Sequence, residues 1–193
     1  AIEDFKPNVI INTAALKHVP ICESNTYESV KTNIIGNNNV IDAIRMHGDM
    51  VETLIFVSTD KACKPINIYG MCKAISERLY IDFANKQDKI KTCHGKIAIP
   101  HVKSFKITSI AKALIKKYNL TNKVELKTIG IRPGEKIHEE MISSEEWMRT
   151  YKNGKNYLIG DDIIAPEGKS YSSHDLIMDD NETYNFLIEN RVI

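Results

Sequence analysis

The stretch that decides the fold is residues 53–80, TLIFVSTDKACKPINIYGMCKAISERLY. It opens with a continuous apolar run, as expected for a buried strand. A polar cluster of Ser58, Thr59, Asp60 and Lys61 follows. From residue 69 onward the apolar side chains recur at helical spacing. The stretch therefore predicts a strand, a polar turn and a helix whose apolar stripe is Met71, Ile75, Leu79 and Phe83.

Similar patterns occur on both sides of this stretch. Residues 8–15 predict a buried strand, and residues 26–48 predict a helix that ends at Gly48. Further along, residues 96–100 and 124–131 predict strands, residues 108–118 predict a basic amphipathic helix, and a polar tail ends in a short helix around Tyr184 and Leu187. This alternation is typical of an α/β fold with a doubly wound parallel sheet. We place a smaller α/β lobe after it, which divides the chain into residues 1–92 and 93–193.

Tyr69 and Lys73 are four residues apart in the predicted helix, so their side chains lie on one face. A phenol has a pKa of about 10 and is a poor base unless a nearby ammonium stabilises the phenolate. Lys73 would supply that charge. By spacing alone, an ordinary surface pair is the commoner interpretation. The pair follows the end of a strand, where a doubly wound sheet opens its ligand crevice, and this position favours a site.

Asp60 and Lys61 lie side by side at this strand end. Elimination of water from a sugar needs an acid for the departing hydroxyl and a base for the neighbouring carbon-bound proton. The two residues can meet that demand. The alternative is that residues 58–60 cap or turn the chain while Lys61 is solvated.

Composition narrows the class of protein. The 193 residues include 26 basic and 25 acidic side chains, for a net charge of +1, so we expect no nucleic-acid partner. The four cysteines have no zinc-ligand or disulfide-framework spacing, which favours the cytoplasm. We see no apolar run long enough to span a membrane and no signal peptide. His18 and His138 lack spaced partner ligands, so we expect no metal.

Three blocks of sequence resemble one family. Residues 57–80, VSTDKACKPINIYGMCKAISERLY, resemble the active-site block of the extended short-chain dehydrogenase/reductases, and more narrowly of the UDP-N-acetylglucosamine 4,6-dehydratases that invert C5. Residues 11–43, INTAALKHVPICESNTYESVKTNIIGNNNVIDA, and residues 128–143, TIGIRPGEKIHEEMIS, resemble two further blocks of these enzymes, in the same order. The resemblance implies a Rossmann-like sheet and a nucleotide-sugar-binding lobe.

The resemblance also implies catalytic roles. Tyr69 would remove the C4 hydroxyl proton of the sugar, and Lys73 would hold the nicotinamide ribose and lower the pKa of the tyrosine. Lys61 would remove the C5 proton. Asp60 would protonate the departing C6 hydroxyl, and Thr59 would orient the C4 oxygen.

Binding roles follow in the same way. The implied cofactor is NADP or NAD, which would lie beside Thr13, Lys17, Val57 and Ser58, with Tyr69 and Lys73. Lys17 would also reach the UDP-sugar, and Arg132 would grip its diphosphate, a task that suits a planar, permanently charged group. A surface arginine in a Pro-Gly turn is the alternative for Arg132. The family further implies a homo-oligomer.

The sequence departs from the family pattern in two places. It has no GxxGxxG turn, so the first βαβ unit of the family is not in it, and near Thr92 it omits an internal segment. Two other functions stay open. One is a nucleotide-sugar epimerase or a 4,6-dehydratase/5-epimerase, although the latter commonly has methionine where this chain has Tyr69. The other is a non-catalytic binding or assembly module.

Overall fold

A two-stranded parallel sheet forms the centre of the first part of the molecule. The computed structural model describes residues 1–87, 95–165 and 167–193. Strand β1 (Val9–Asn12) pairs with β2 (Thr53–Phe56), from Val9 opposite Thr53 to Asn12 opposite Phe56. Both strands are the short apolar runs that the sequence predicts, but they are not buried as predicted, because one face of this sheet is partly exposed among the described residues.

Helices connect and follow these strands. The predicted helix at residues 26–48 is present as one continuous helical segment with a π-helical turn inside it. The helices of this part are α1 (Ile2–Phe5), α2 (Val19–Ser24), α3 (Thr26–Val30), the π-turn (Lys31–Ile35), α4 (Gly36–His47), a 3₁₀ turn (Asp60–Ala62) and α5 (Ile68–Asn85). Gly48 caps α4, as predicted.

The first core lies on one face of this sheet. Ile41, Ile44, Val51, Tyr80 and Phe83 are buried there, and Ile10, Leu54 and Phe56 pack against them. Because side chains alternate along a strand, the intervening residues point to the other face. On that face Val9, Ile11, Ile55 and Val57 are 49%, 60%, 43% and 43% exposed.

The second part is mainly antiparallel. Strands β3 (Ile97–Pro100), β7 (Asn156–Ile159) and β6 (Thr150–Asn153) form a three-stranded antiparallel sheet. Strand β5 (Glu140–Ile142) pairs antiparallel with β8 (Tyr171–Ser172), and β4 (Ser104–Phe105) pairs parallel with β9 (Ile177–Met178). The helices are α6 (Ile107–Lys117), α7 (Ser144–Trp147) and α8 (Asp180–Glu189). Ile142, Ile159 and Tyr171 form its core.

Two sequence predictions about elements need correction, and one hairpin was not predicted. Residues 124–131 form no strand, because their alternating apolar side chains are exposed and have no neighbouring strand to pair with. The stripe predicted for α5 is wrong at its start: Met71 and Ile75 are exposed, while Cys72 and Ser76 are buried against the preceding helices and Lys73 is buried at the end of β2. The β6–β7 hairpin was not predicted, although Asn153 and Gly154 at its turn carry the sequence signal of a tight hairpin.

The predicted boundary at residues 92–93 and the omitted segment near Thr92 lie outside the described residues. Within the described ranges, no helix is both long enough and apolar enough to cross a lipid bilayer.

Candidate active site

The carboxyl ends of the two parallel strands meet at one edge of the sheet. The backbone N–H of Val57 donates to the carbonyl of Asn12 at 3.0 Å, which extends the pairing one residue beyond β2. Thr13 therefore lies beside Val57, as expected for residues that follow parallel strands. Thr13 and Lys17 are both exposed, in the loop between β1 and α2.

Asn33 fixes that loop from the π-turn. Its side-chain amide accepts from the backbone N–H of Leu16 at 2.8 Å and donates to the carbonyl of the same residue at 2.9 Å. Asn33 is fully buried. Its own carbonyl accepts from the hydroxyl of Ser76 in α5, so one residue links the loop, the π-turn and the next helix. π-turns within helices often mark functional sites.

Thr59, Asp60 and Lys61 form a compact polar cluster after β2. The hydroxyl of Thr59 donates to Oδ1 of Asp60 at 2.9 Å, and Nζ of Lys61 donates to the same oxygen at 3.2 Å. Thr59 also caps the 3₁₀ turn by accepting from the backbone N–H of Lys61. The cap of the alternative interpretation is therefore present, but Lys61 is not solvated as that interpretation expects, because its side chain is 30% exposed and its ammonium contacts Asp60.

A second carboxylate reaches Lys61 from the later part of the chain. Oε1 of Glu139 lies 3.0 Å from the Nζ of Lys61. Burial lowers the pKa of Lys61, but the hydrogen bond that its ammonium donates to Glu139 and the charges of Asp60 and Glu139 outweigh it, and the net shift is upward. Lys61 is therefore a charged ammonium at neutral pH in this arrangement.

Tyr69, in the first turn of α5, faces the same cluster. Burial raises the pKa of its phenol, while a hydrogen bond with Thr59 and the positive charge of Lys61 act in the opposite direction. The structure thus brings Tyr69 together with Thr59, Asp60 and Lys61. On balance the pKa of Tyr69 is raised, and the ammonium that acts against this rise belongs to Lys61, whereas the sequence predicts that Lys73 has this role.

Lys73 is buried on the neighbouring side of α5, with 2% of its surface exposed. Its ammonium donates to the carbonyl of Val57 at 2.8 Å and lies 4.3 Å from the centre of the Phe56 ring. Burial lowers the pKa of Lys73, and the nearby charge of Glu77 partly offsets this. Lys73 therefore ties α5 to the end of β2.

Glu77 continues the same helix face beyond Lys73. Its carboxyl group accepts a short hydrogen bond from the hydroxyl of Ser58. Burial raises the pKa of Glu77, although the hydrogen bond from Ser58 lowers it. Ser58 and Glu77 are among the residues that line a cavity of about 730 Å³ between the end of β2, α5 and β3. The walls of this cavity also include Val57, Thr59 and Asp60.

The remaining predicted residues lie outside the polar cluster. Arg132 is 68% exposed and pairs with Glu135 within its own turn, and its Nε donates to Oε1 of that residue at 2.9 Å. His18 precedes α2 as its N-cap, and His138 packs edge-on against His174.

Sequence analysis missed Glu77, Glu139 and Asn33. Glu77 had a usable signal, because it continues the four-residue spacing of Tyr69 and Lys73 along one helix face. Asn33 had a weaker one, a polar residue inside an apolar helical pattern. Glu139 had none, because its partner Lys61 is far away in sequence.

A parallel sheet with a polar cluster at its strand ends, followed by a helix that carries Tyr69 and Lys73, defines a Rossmann-like α/β protein of the extended short-chain dehydrogenase/reductase type. A family model described as "Polysaccharide biosynthesis protein" matches residues 1–94 and 89–161. The chain belongs to this polysaccharide biosynthesis protein family. The match divides at residues 89–94, next to the position where the sequence predicts an omitted segment.

Curated proteins are similar to most of this chain. The chain is 33% identical over 221 residues to the UDP-N-acetylglucosamine 4,6-dehydratase (inverting) of Campylobacter jejuni subsp. jejuni serotype O:23/36. This alignment covers 83% of this chain and 64% of the relative. The chain is also 29% identical over 220 residues to the UDP-glucose 4-epimerase of Rickettsia bellii (strain OSU 85-389). That alignment covers 82% of this chain and 63% of the relative. The chain thus spans less than two thirds of the length of these relatives.

A solved structure confirms the fold. The X-ray structure of Pen from Bacillus thuringiensis superposes with a TM-score of 0.82 at 19% identity, and the match covers 96% of this chain and 76% of that chain. At this identity the likeness extends to the fold alone.

Proposed function

We propose that this protein is a C5-inverting nucleotide-sugar 4,6-dehydratase that acts on UDP-N-acetylglucosamine with bound NADP or NAD, in the synthesis of surface glycan or glycoprotein sugars. The observation that carries the proposal is the cluster of Thr59, Asp60 and Lys61 at the strand end, which Tyr69 faces from the next helix. The curated dehydratase relatives and the family description support the substrate and the process.

The residues around the strand ends fit the nicotinamide and ribose end of the cofactor. Thr13, Val57 and Ser58 would line its path, and Lys17 would reach it from the loop. An ammonium has three N–H donors, so Lys73 can bind ribose hydroxyls while it keeps its contact with Val57. When bound, the cofactor would supply a hydride acceptor for C4 of the sugar and a hydride donor for C6, so it would not be consumed.

Each group of the cluster takes one proton step. Tyr69 takes the proton of the C4 hydroxyl as C4 is oxidised to a ketone, with Thr59 holding the C4 oxygen. The C5 proton is then acidic, and Lys61 removes it. Asp60 gives a proton to the C6 hydroxyl, which leaves as water. Tyr69 then gives the proton that it took from the C4 hydroxyl to C5, from the opposite face, and hydride returned to C6 completes the inverted 4-keto-6-deoxy sugar. Arg132 would hold the diphosphate after exchanging its contact with Glu135.

The elimination requires a proton to move before it begins. In the structure Lys61 carries the proton and Asp60 is its carboxylate partner. The base step needs a neutral amine, and the acid step needs a protonated carboxyl group. Transfer of one proton across the 3.2 Å contact between Nζ and Oδ1 produces both forms at once.

Incubation with UDP-N-acetylglucosamine and NADP, followed by NMR of the product, tests this function. We expect the C6 hydroxymethyl signal to be replaced by a methyl signal. Lys61→Ala and Tyr69→Phe should each reduce the rate by at least about 100-fold, the scale of a lost acid–base group. Lys64→Ala, at an exposed lysine of the same loop, is the control and should retain the rate.

The UDP-glucose 4-epimerase relatives support a second candidate function, nucleotide-sugar epimerisation. The same experiment separates the two. An inverted C4 with an intact C6 hydroxyl would identify an epimerase and refute the dehydratase. A protein that binds neither NADP nor the sugar nucleotide would favour the non-catalytic module.

We also propose that the protein acts in the cytoplasm as a homo-oligomer. The cysteine pattern supports the compartment, because it has no disulfide-framework spacing. Light scattering coupled to size-exclusion chromatography would measure the subunit number, and a monomer at working concentrations would refute the oligomer.

A further inference from the structure

Glu139 contacts Lys61 from a rigidly held backbone. Its backbone N–H donates to the hydroxyl of Ser173 at 3.1 Å, and its carbonyl accepts from the N–H of the same residue at 2.8 Å. Its carboxylate then reaches Nζ of Lys61 at 3.0 Å. The side chains of Lys61 and Glu139 are 30% and 24% exposed, so water screens this pair less than a pair on the open surface.

The residues around Glu139 make further polar contacts with the loop that carries Lys61. Nζ of Lys136 donates to the carbonyls of Cys63 and Lys64 at 3.1 and 3.0 Å. The side-chain amide of Asn67 donates to the carbonyl of Gly134 at 2.9 Å. These contacts fix the distance between the two backbones, so the approach of Glu139 to Lys61 is part of an extended interface.

Glu139 and Glu140 each pair with a different lysine of that loop. Oε1 of Glu140 lies 3.0 Å from the Nζ of Lys64. The two carboxylates are adjacent in sequence, yet only Glu139 reaches the lysine beside Asp60. Glu140 is therefore a matched control for any effect of Glu139.

The ionisable groups around Lys61 differ in how closely they approach its ammonium. Asp60 and Glu139 contact its ammonium directly, and Tyr69 and Glu135 interact with its charge at longer range. Oε2 of Glu139 is buried and has no hydrogen-bond donor among the described residues. The hydrogen bond that Glu139 accepts through its side chain thus comes from Lys61.

We propose that Glu139 is a positioning residue for Lys61: it holds the ammonium beside Asp60 and raises the pH at which this amine loses its proton. The proposal rests on the proposed function only in treating Lys61 as the group that removes the C5 proton. In that reaction Glu139 strengthens Lys61 as a base and keeps more of it protonated at neutral pH.

The test uses limiting acetic anhydride on the 193-residue chain, with peptide mass spectrometry to measure acetylation at each lysine. Only neutral amines react, so the rate reports the deprotonated fraction. Glu139→Gln keeps the shape of the side chain and removes its charge. We expect acetylation of Lys61 to become several-fold faster and its pH curve to move to lower pH. In Glu140→Gln, Lys64 should react faster and Lys61 should not change.

Equal acetylation of Lys61 in the wild type and in Glu139→Gln would overturn the proposal. If that variant does not fold by circular dichroism, the wild type alone decides. There, Lys61 must reach half-maximal reaction at a higher pH than the exposed Lys152, and an equal or lower midpoint overturns the proposal. In an active enzyme, the alkaline limb of kcat/KM should move to lower pH in Glu139→Gln, because the active Lys61–Asp60 pair holds one proton and loses it when Lys61 deprotonates. Labelling needs no substrate, so a missing dehydratase activity would refute the proposed function and leave this inference standing.

Discussion

Glu77 is a carboxyl group held in a place that disfavours its charge. It is largely enclosed between Ser58 and the cavity, and burial raises its pKa above the ordinary value. Below that ordinary pKa the group is protonated in the folded and unfolded states alike. As pH rises further, Glu77 loses its proton in the unfolded chain before it does so in the folded protein. The free energy of unfolding therefore falls until pH passes the raised pKa, and it stays at the lower level above that pH.

Glu77→Gln should therefore become more stable relative to the wild type as pH rises through this window. Glutamine keeps an acceptor for the hydroxyl of Ser58 and has no proton to lose. Urea denaturation at several pH values measures the difference in free energy of unfolding, and a difference independent of pH would contradict the prediction.

Glu135→Gln is the control with the opposite sign. The hydrogen bond from Arg132 lowers the pKa of Glu135, so its contribution to stability is present above the ordinary carboxyl pKa and is lost as pH falls through the lowered value. This variant should differ from the wild type near neutral pH and converge with it in acid.

Which site residues could be predicted depended on distance along the chain. Thr59, Asp60, Lys61 and Tyr69 were predicted together because one strand end and the next helix start lie close in sequence, and the structure brings them together. The partner of Lys73 was not predictable, since it is the backbone carbonyl of Val57 and leaves no trace in residue types. Glu139 was missed because its approach depends on the pairing of β5 with β8.

At the scale of elements, the close approach of α5 to the 3₁₀ turn depends on Gly70. A Cβ atom at this position would lie 2.1 Å from the carbonyl oxygen of Lys61, which is backbone and cannot rotate away. Gly36, by contrast, has room, since its Cβ would lie 3.5 Å from the nearest atom.

Gly70→Ala should therefore destabilise the protein by about 1–3 kcal/mol, the usual cost of overpacking, and should also impair catalysis by displacing Lys61. Gly36→Ala should stabilise it by about 0.5–1 kcal/mol, because alanine is the better helix former. Thermal or urea denaturation of the two variants checks both, and equal effects would contradict the argument.

The π-turn predicts a second effect at this scale. Asn33→Ala removes both hydrogen bonds to Leu16 and leaves backbone groups near a buried position unpaired. We expect a loss of about 1–3 kcal/mol in the free energy of unfolding. Asn39→Ala, at an exposed position of α4, should change it by less than about 0.5 kcal/mol. A loss no greater than that of the control would show that Asn33 does not fix the loop.

The sequence predicted an element well where one face of the element is buried, because burial then requires apolar residues at the spacing of a helix or a strand. The helix at residues 26–48 kept its predicted limits because its apolar face packs on the sheet. Residues 124–131 have the alternation of a strand, but alternation alone provides no partner strand, and the segment stays exposed.

At the scale of the whole molecule, one face of the β1–β2 sheet is an apolar surface that packing among the described residues leaves partly uncovered. The double variant Ile11→Thr with Ile55→Thr keeps β-branched residues on this face while making it more polar. We expect lower fluorescence of a bound anilinonaphthalene dye at unchanged stability. Ile10→Thr, on the packed face, should lower stability instead, and unchanged dye fluorescence in the double variant would contradict the prediction.

Of the two carboxylates that contact Lys61, one is its neighbour in the sequence and the other depends on tertiary packing. Asp60 accompanies Lys61 through the covalent chain, whereas Glu139 reaches it only while the segment around Gly134 and Lys136 stays docked on the loop. Undocking of that segment would deprive the amine of one anion and weaken its hold on its proton. Opening of the interface and proton release are therefore thermodynamically linked: as pH rises through the raised pKa of Lys61, the open form gains relative to the docked one.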